Sequence, residues 1–486
     1  MPITELRRAW TAFRRPLRLT ALAAAALAVI ALGLLYAFGV HSSCPGTCPA
    51  VPVARDGSPV ADRFAFWHRG LGRDGSITVR LTAMTGTITY PPPDHDRIVS
   101  GLVPWAKAGI IIKDGVRQGS PYAALMMTGR HGVRFQHDYR YDTAGRPGRV
   151  SPRSPRWLRL TRSGDVVTGA ESADGRTWHT VGTARLPGLP DTVRAGLFAT
   201  SPGDLTLRRI GLGGSVEEVR FAQAVGVFDH VSVTGGVGGW TGGPVGRMNE
   251  TDWERFHHAS GAVVRHGVVT VSGTGDIGPI SEDGSPIGTQ VLSGLVIALV
   301  IVLILAARFG ARTAREAAGR AAAGARAAVL GGAVFGAGLV AAGTVLPASL
   351  AVLHADAIPT PPLPALTAVR VTIGVAAALA LAAVLTYGLA VRLRRGWAAS
   401  LIGLTLLAVP YTITAAPLLP DTTAEWLLRV TPAAAFAVQQ LATAYPQVTA
   451  HYAPSSGYYP LPAWAGLTVL ATYTALALHL ALRRRP

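Results

Sequence analysis

Lysine is nearly missing from this sequence: Lys107 and Lys113 are the only two among 45 basic residues. Neither closes a G-x-x-x-x-G-K-[ST] loop, the arrangement whose lysine reaches nucleotide phosphates. The chain therefore carries no P-loop, and any ATP it depends on must be hydrolysed by another polypeptide. Cysteine is equally scarce. Cys44 and Cys48 are the only pair, too few for a metal site of their own. Acidic residues number 27, and no E-x-D-x-E run offers the paired carboxylates that glycan hydrolysis needs as acid and as base or nucleophile. Glu217 and Glu218 are adjacent, which on a strand points them to opposite faces. These absences predict a chain with no catalytic residue and no cofactor of its own.

Long apolar runs are what the sequence has in place of these. Six segments, Leu19–Gly39, Val291–Ala307, Ala327–Leu346, Val371–Val391, Trp397–Leu419 and Ala463–Leu482, each approach the roughly 20 residues that a helix needs to cross about 30 Å of hydrocarbon. Arginines fill every second gap. Arg7, Arg8, Arg14, Arg15 and Arg18 precede the first segment. Arg308, Arg312, Arg315, Arg320 and Arg326 follow the second, Arg392, Arg394 and Arg395 the fourth, and Arg483, Arg484 and Arg485 the sixth. The short loops on the opposite side, with their helix ends, hold only Arg370 and Arg429. Cationic residues stay on the cytoplasmic face, so the pattern predicts a multi-pass protein of the cell membrane, with both termini cytoplasmic and residues 41–290 outside. A soluble protein with buried helices is the plain alternative, and six runs alternating in charge weigh against it.

The formal charge of +18 has the same origin. Residues 41–290 hold 25 arginines and two lysines against 22 acidic residues. Most of the excess thus lies in the membrane flanks, where it serves topology and attraction to the lipid bilayer. It makes no case for a nucleic-acid partner. Residues 1–18 read as a cytoplasmic amphipathic connector, with Leu6, Trp10, Phe13 and Leu17 at helical spacing among arginines.

The insertion between the first two spans has an all-β texture. Short β-branched runs such as Ser76–Thr82, Ala108–Lys113, Tyr122–Thr128, Trp157–Arg162 and Val193–Ala199 are separated by turn residues. Residues 166–169 and 177–180 suggest a hairpin closed at Asp174-Gly175. A β-sandwich over residues 41–234 is expected, with a glycine-rich extension or stalk over 235–290. The outer compartment permits disulfides, and a Cys44–Cys48 bridge stands beside two free thiols as the alternatives. Between the fifth and sixth spans, the loop 420–462 is rich in interfacial aromatics. Thr423 is a candidate cap for a helix through Arg429, and Pro432 for the start of another through Ala442. Residues 433–438 are apolar but too short to span, so a re-entrant or interfacial segment is expected around Thr431, Pro432, Phe436, Gln439 and Gln440.

The run Trp426-Leu427-Leu428-Arg429-Val430-Thr431-Pro432-Ala433-Ala434-Ala435-Phe436-Ala437-Val438-Gln439-Gln440, with Gly457-Tyr458-Tyr459-Pro460-Leu461 after it, resembles permease subunits of ABC transporters of the ABC-2 exporter type, in their actinobacterial branch. The resemblance implies six spans, short helices dipping into the membrane before the sixth, and an amphipathic connector helix ahead of the first. It also implies a cytoplasmic ATP-binding-cassette partner and a second permease subunit in a homo- or heterodimer. ATP would act through the partner. The family's cytoplasmic loop between spans two and three is longer than residues 308–326 here. Arg312, Arg315 and Glu316 are the candidates for coupling to an ATPase. In the insertion, Trp105-Ala106-Lys107-Ala108-Gly109-Ile110-Ile111-Ile112-Lys113-Asp114-Gly115, Trp157-Leu158-Arg159-Leu160 and Ser172-Ala173-Asp174-Gly175-Arg176-Thr177-Trp178 resemble a concanavalin A-like (laminin-G-like) jelly roll. The expected fold class is therefore a six-helix membrane bundle with an all-β domain inserted between its first two helices.

Three lesser readings accompany this one. Trp67, Trp105 and Trp157 are either a platform for sugar or core filling. Asp94-His95-Asp96 and His257-His258 are either metal ligands or solvated loop groups. The chain as a whole is alternatively a membrane-anchored cell-surface binding protein or sensor. Glycines at Gly331, Gly332, Gly336 and Gly338 suit close helix packing, and Pro410, Tyr411 and Thr412 suit a kink.

Overall fold

The computed structural model describes residues 3–40, 50–90, 97–280, 290–356 and 363–483. Cys44, Cys48 and the Asp94-His95-Asp96 stretch lie outside the described residues. The amino-terminal segment is not one connector. Helix α1 (Ile3–Phe13) stops at Arg14-Arg15, and α2 (Pro16–Gly39) restarts with Pro16 in its first turn, where a missing N–H costs nothing. Phe13 is buried edge-on against Phe309 at 5.5 Å, and the Arg18 guanidinium lies 4.4 Å over the same ring.

The chain then enters a β domain whose described strands form one fourteen-stranded sheet and a two-stranded ribbon, paired antiparallel throughout. Two long strands, Phe64–Thr89 and Gly214–Val245, run side by side as its spine. Residues 65–71 of the first pair with Val193–Thr200, which leads through Lys107–Lys113 and Tyr122–Thr128 to Val133–His137. Residues 74–81 pair instead with Arg156–Ser163, which leads to Val166–Ser172 and His179–Arg185. The two wings pack face to face in sandwich fashion: Val79, Leu158 and Leu160 share a core with Ile110, Ile112, Leu125 and Leu197. A second core of Phe64, Phe66, Ile111, Tyr122, Met126 and Phe198 covers the other face of the Lys107–Lys113 wing. Burial on both faces explains why that strand reads as an unbroken apolar run rather than an alternation.

Of the two alternatives for residues 235–290, extension or stalk, the described residues form an extension: residues 235–245 complete the second long strand. Helix α3 (Asp252–His257) and the hairpin Gly261–Arg265/Val268–Gly273 follow, and the hairpin pairs back onto that strand. The ribbon joins the domain's first strand, Val60–Asp62, to its last, Ile277–Pro279.

Helices α4 (Leu295–Arg315), α5 (Arg320–Ala355), α6 (Ala365–Leu393) and α10 (Ala463–Leu482), with α2 and the stretch Gly396–Ala415, are six helices long and apolar enough to cross a membrane. They suggest a multi-pass membrane protein. The expected cytoplasmic loop Arg308–Arg326 is mostly helix. Alanine and arginine are strong helix formers, so α4 and α5 run on past the apolar stretches. Only residues 316–319 turn, with Ala317 at a left-handed φ of 48°. The third run also extends to Ala355, through Pro347. The fifth is interrupted: α7 (Gly396–Gly403) passes through a π turn at Leu404–Ala408 into α8 (Val409–Ala415), which re-aims the helix just before Pro410. Of the four glycines in α5, Gly338 abuts Ala376 and Gly331 faces Val384, whereas Gly332 and Gly336 meet nothing. Helices α2 and α4 approach closely, because a side chain at Gly33 would strike the Val291 carbonyl and one at Gly294 the Ala28 carbonyl.

Candidate functional site

After α9 (Asp421–Val430), Pro432 begins a 3-10 helix that ends at Gln439, short of the expected Ala442. Pro420, not Thr423, occupies the cap position of α9. Every residue from Pro432 to Gln439 is buried. The segment sits between α6, α8 and α10, and glycines make room for it: a Cβ at Gly466 would lie 2.1 Å from the Ala434 carbonyl oxygen, and one at Gly374 2.8 Å from Val438. Its end is fixed by polar contacts. The Tyr411 hydroxyl donates to Gln439 Oε1 at 2.9 Å, and the Tyr411 ring lies 4.3 Å from that of Phe436. Gln440 Oε1 accepts the Tyr459 N–H at 3.0 Å, while the Gln440 carbonyl accepts from Arg370 at 2.5 Å. Thr431 Oγ1 donates to the Leu427 carbonyl at 2.7 Å. Gln439 Nε2 is buried and meets no acceptor among the described residues. An amide donor left unpaired in an apolar bundle costs about 1–3 kcal/mol, which makes this spot the candidate site of the helical part. Thr431, Pro432, Phe436, Gln439 and Gln440 are thus brought together, joined by Tyr411, Tyr459 and Arg370.

The β domain rests on the same end of the bundle. Gly214 packs so tightly on the Pro417 carbonyl that a Cβ there would lie 1.8 Å from its oxygen. Buried His451 bridges the two parts, with Nδ1 3.4 Å from Glu217 Oε1 and Nε2 2.8 Å from Asp421 Oδ2. Gln447 donates to the Arg140 carbonyl at 2.9 Å. Sequence reasoning missed this clamp, since Glu217, Asp421 and His451 lie far apart in the chain. Glu217 and Glu218 do face opposite ways: Glu218 lies toward Arg208 at 3.9 Å.

At the opposite end of the bundle, Arg312 and Glu316 are joined at 2.6 Å, and Arg326 meets the other Glu316 oxygen at 2.7 Å. The hydrogen bond from Arg312, then that from Arg326, holds the Glu316 carboxyl below its ordinary pKa against partial desolvation. Arg315 is exposed and outside this cluster.

A third feature lies on the β domain: an open groove of about 820 Å³ between Trp157, Arg159, His230 and the hydroxyls of Ser76, Thr161 and Ser232. His230 is left-handed, with φ of 50°, at a register shift between the long strands. Its ring stands edge-on to Trp157 at 5.3 Å, and its Nδ1 lies 3.0 Å from Asp229 Oδ1. Asp229 is in turn gripped by Arg80 through two bonds of 2.7 and 2.6 Å, which hold its pKa down. Of the three tryptophans weighed as sugar platform or core filling, Trp105 is buried against His131 and Trp67 is stacked on Trp240, and Trp157 lies at the groove. Asp174 closes its turn, as expected: the Thr177 and Arg176 N–H groups and the Ser172 hydroxyl hold its carboxyl far below the usual range. Thr177 and Trp178 belong to that turn and not to the hairpin arm, which begins at His179. Trp178 carries Arg159 at 3.8 Å from its ring centre. His258 is bonded to Thr89 at 2.6 Å and packed on Phe221. Among the described residues no three histidines, cysteines or acids converge as a metal site would require.

No family model matches the chain, and no curated protein does. Solved structures give only faint likenesses. A functionally unknown protein from Saccharomyces cerevisiae is 16% identical over 35% of this chain and 74% of its own, with a TM-score of 0.18. The GH43 protein BlXynB from Bacillus licheniformis is 15% identical over 34% of this chain and 28% of its own, with a TM-score of 0.21. A scytalido-glutamic peptidase is 10% identical over 44% of this chain and 98% of its own, with a TM-score of 0.27. Likenesses of this size bear on neither fold nor activity.

Proposed function

We propose that this chain is the membrane-spanning subunit of an ABC exporter, working with a separate cytoplasmic ATPase and a second permease subunit. The observation that carries the reading is the buried segment Pro432–Gln439, held short of a full crossing between the fifth and sixth long helices. A short helical segment that ends at membrane depth leaves terminal backbone groups that must be enclosed by protein, and α6, α8 and α10, with glycines at 374 and 466 for close approach, enclose it here. In this reading the arginine-rich end of the bundle is cytoplasmic and the Arg312–Glu316–Arg326 cluster receives the ATPase. The β domain is then an outer jelly roll. Substrate would pass by alternating access along an apolar route, which suits an amphipathic cargo. The test is to purify the tagged protein in mild detergent and assay the eluate for ATPase. A co-purifying P-loop subunit whose hydrolysis depends on this chain supports the reading; an eluate without one removes it.

A second reading, a membrane-anchored binding protein or sensor, is favoured by the groove around Trp157 and His230 and by the His451 clamp between β domain and helices. Binding of the isolated groove face to a glycan array, abolished by Trp157→Ala, would favour this reading over transport.

A further inference from the structure

The two lysines are both buried, at the two ends of the strand Lys107–Lys113, and their surroundings differ. Lys107 pairs with Asp276, whose side chain keeps 16% of its exposure, and with the Ile277 carbonyl at 2.7 Å. Lys113 and Asp62 are both at 0% exposure, with Nζ 2.7 Å from Oδ2, in the core that holds Phe64, Tyr122 and Phe198. The first is an ion pair that water can reach. The second is shut in hydrocarbon, where a charged pair recovers its desolvation cost only with complete hydrogen bonding.

That bonding is lopsided. Asp62 Oδ2 accepts from Lys113, from the Tyr139 hydroxyl at 2.6 Å and from the Gly119 N–H at 2.8 Å. Asp62 Oδ1 is buried with no partner among the described residues. Gly119 is at φ of 78°, and a Cβ there would lie 2.1 Å from the Val53 carbonyl oxygen, so only glycine brings this N–H to the carboxylate. Burial is the largest influence on Lys113 and lowers its pKa, which favours the free amine. Amine, carboxyl carbon and two oxyanion donors are therefore held in one dry site.

We propose that Lys113 Nζ and Asp62 Cγ condense into an intramolecular isopeptide bond. A proton passes from the ammonium to the carboxylate along the 2.7 Å bond to Oδ2, and a half-turn of the carboxyl carries it to the unpartnered Oδ1 position, giving a neutral amine and a neutral acid. The amine lone pair attacks Cγ, and the C–N bond forms. Negative charge develops on Oδ2, where the Gly119 N–H and the Tyr139 hydroxyl stabilise it as an oxyanion hole does. A second amine proton moves to Oδ1, the C–Oδ1 bond breaks, and one water leaves. Ammonium plus carboxylate becomes amide plus water, with no change of net charge and no oxidant. The link ties Val60–Asp62, and with it the ribbon to Ile277–Pro279, covalently to the central sheet.

The experiment is the intact mass of the purified full chain, reduced and denatured, followed by fragmentation mapping. The expected result is a mass one water below that of the sequence, after allowance for the initiator methionine, with the loss mapped to a branched peptide joining Lys113 to Asp62. Lys113→Met and Asp62→Ala should restore the full mass, and Tyr139→Phe, which keeps the ring and the lysine, should lower the linked fraction. A wild-type chain at the full mass of its sequence, with no water lost, overturns the proposal, as does a water loss mapped to Lys107–Asp276 or elsewhere.

Discussion

In the β domain Lys107, Lys113 and Arg162 are nearly withdrawn from solvent, and each is met by groups distant in sequence: Lys107 by Asp276, Lys113 by Asp62, and Arg162 by the carbonyls of Gly72 and Pro190. In the bundle, the buried polar side chains of the long helices are neutral, among them Thr313, Thr386, Thr414 and Thr474. Each threonine returns its hydroxyl to the carbonyl one turn back, at 2.7 to 3.0 Å. The β domain satisfies buried charge through tertiary geometry, so its polar groups report on the whole fold. The bundle satisfies these four hydroxyls mainly within their own helices, although Thr474 also reaches the Leu381 carbonyl of α6 at 3.2 Å and the buried Ser349 hydroxyl meets no partner among the described residues. Bonds between elements are fewer there: Gln439 takes the Tyr411 hydroxyl, and the buried Tyr387 hydroxyl donates to the Ala323 carbonyl of α5 at 2.9 Å.

The largest effect expected from this contrast is at Asp276. Asp276→Ala leaves Lys107 as an unpaired buried cation and should destabilise the β domain by about 3–5 kcal/mol, read as a lower melting temperature. A loss as small as that of Thr386→Val would break the contrast. Next is Gly466→Leu, which drives a side chain into the Ala434 carbonyl. It should cost about 1–3 kcal/mol by overpacking, seen as aggregation on size-exclusion chromatography. Tyr411→Phe removes the donor to Gln439 and should cost about 1 kcal/mol. If the exporter reading holds, it should also alter partner-driven ATPase activity, whereas Thr414→Val alters neither. His451→Ala should change melting little but admit protease to residues 443–453, where the β domain now covers the loop. The smallest effect is at Glu316. Its folded-state pKa is depressed by Arg312 and Arg326, so its contribution is present above the unfolded carboxylate pKa. It is lost as pH falls through the folded value. With an exposed side chain this is worth about 0.5 kcal/mol or less, and Glu316→Gln should flatten that acid limb of the stability curve.

The six long helices are legible because hydropathy does not depend on register. Their ends are not. Alanine and arginine continue a helix as readily as leucine, so the stretch around Arg312 and Arg326 looks like a loop by polarity and is helix by propensity. Individual strands were equally legible at Lys107–Lys113 and Tyr122–Thr128. The two long strands were not, because Asp74-Gly75, His230 and Gly235-Gly236 signal turns where the chain only bulges and bends within a continuing strand. Of the candidate site, the buried segment starting at Pro432 was visible from its apolar run. The contacts that define it, from Tyr411, Tyr459 and Arg370, come from other elements and leave no local trace. The two lysines stood out only by their rarity, and their flanking isoleucines were the one sign that they are buried.

Val60–Asp62 and Ile277–Pro279 lie side by side, so the β domain begins and ends at one point. A module with adjoining ends can sit between two helices without parting them, and its docking at Pro417 and His451 is then an added contact rather than a condition of the insertion. The helices on either side, α2 and α4, make their own close contact at Gly33 and Gly294 and do not depend on the guest to hold them together. Adjoining ends mean that the whole β domain enters the helical part through a single doorway, so its many strands add nothing to the distance that α2 and α4 must span.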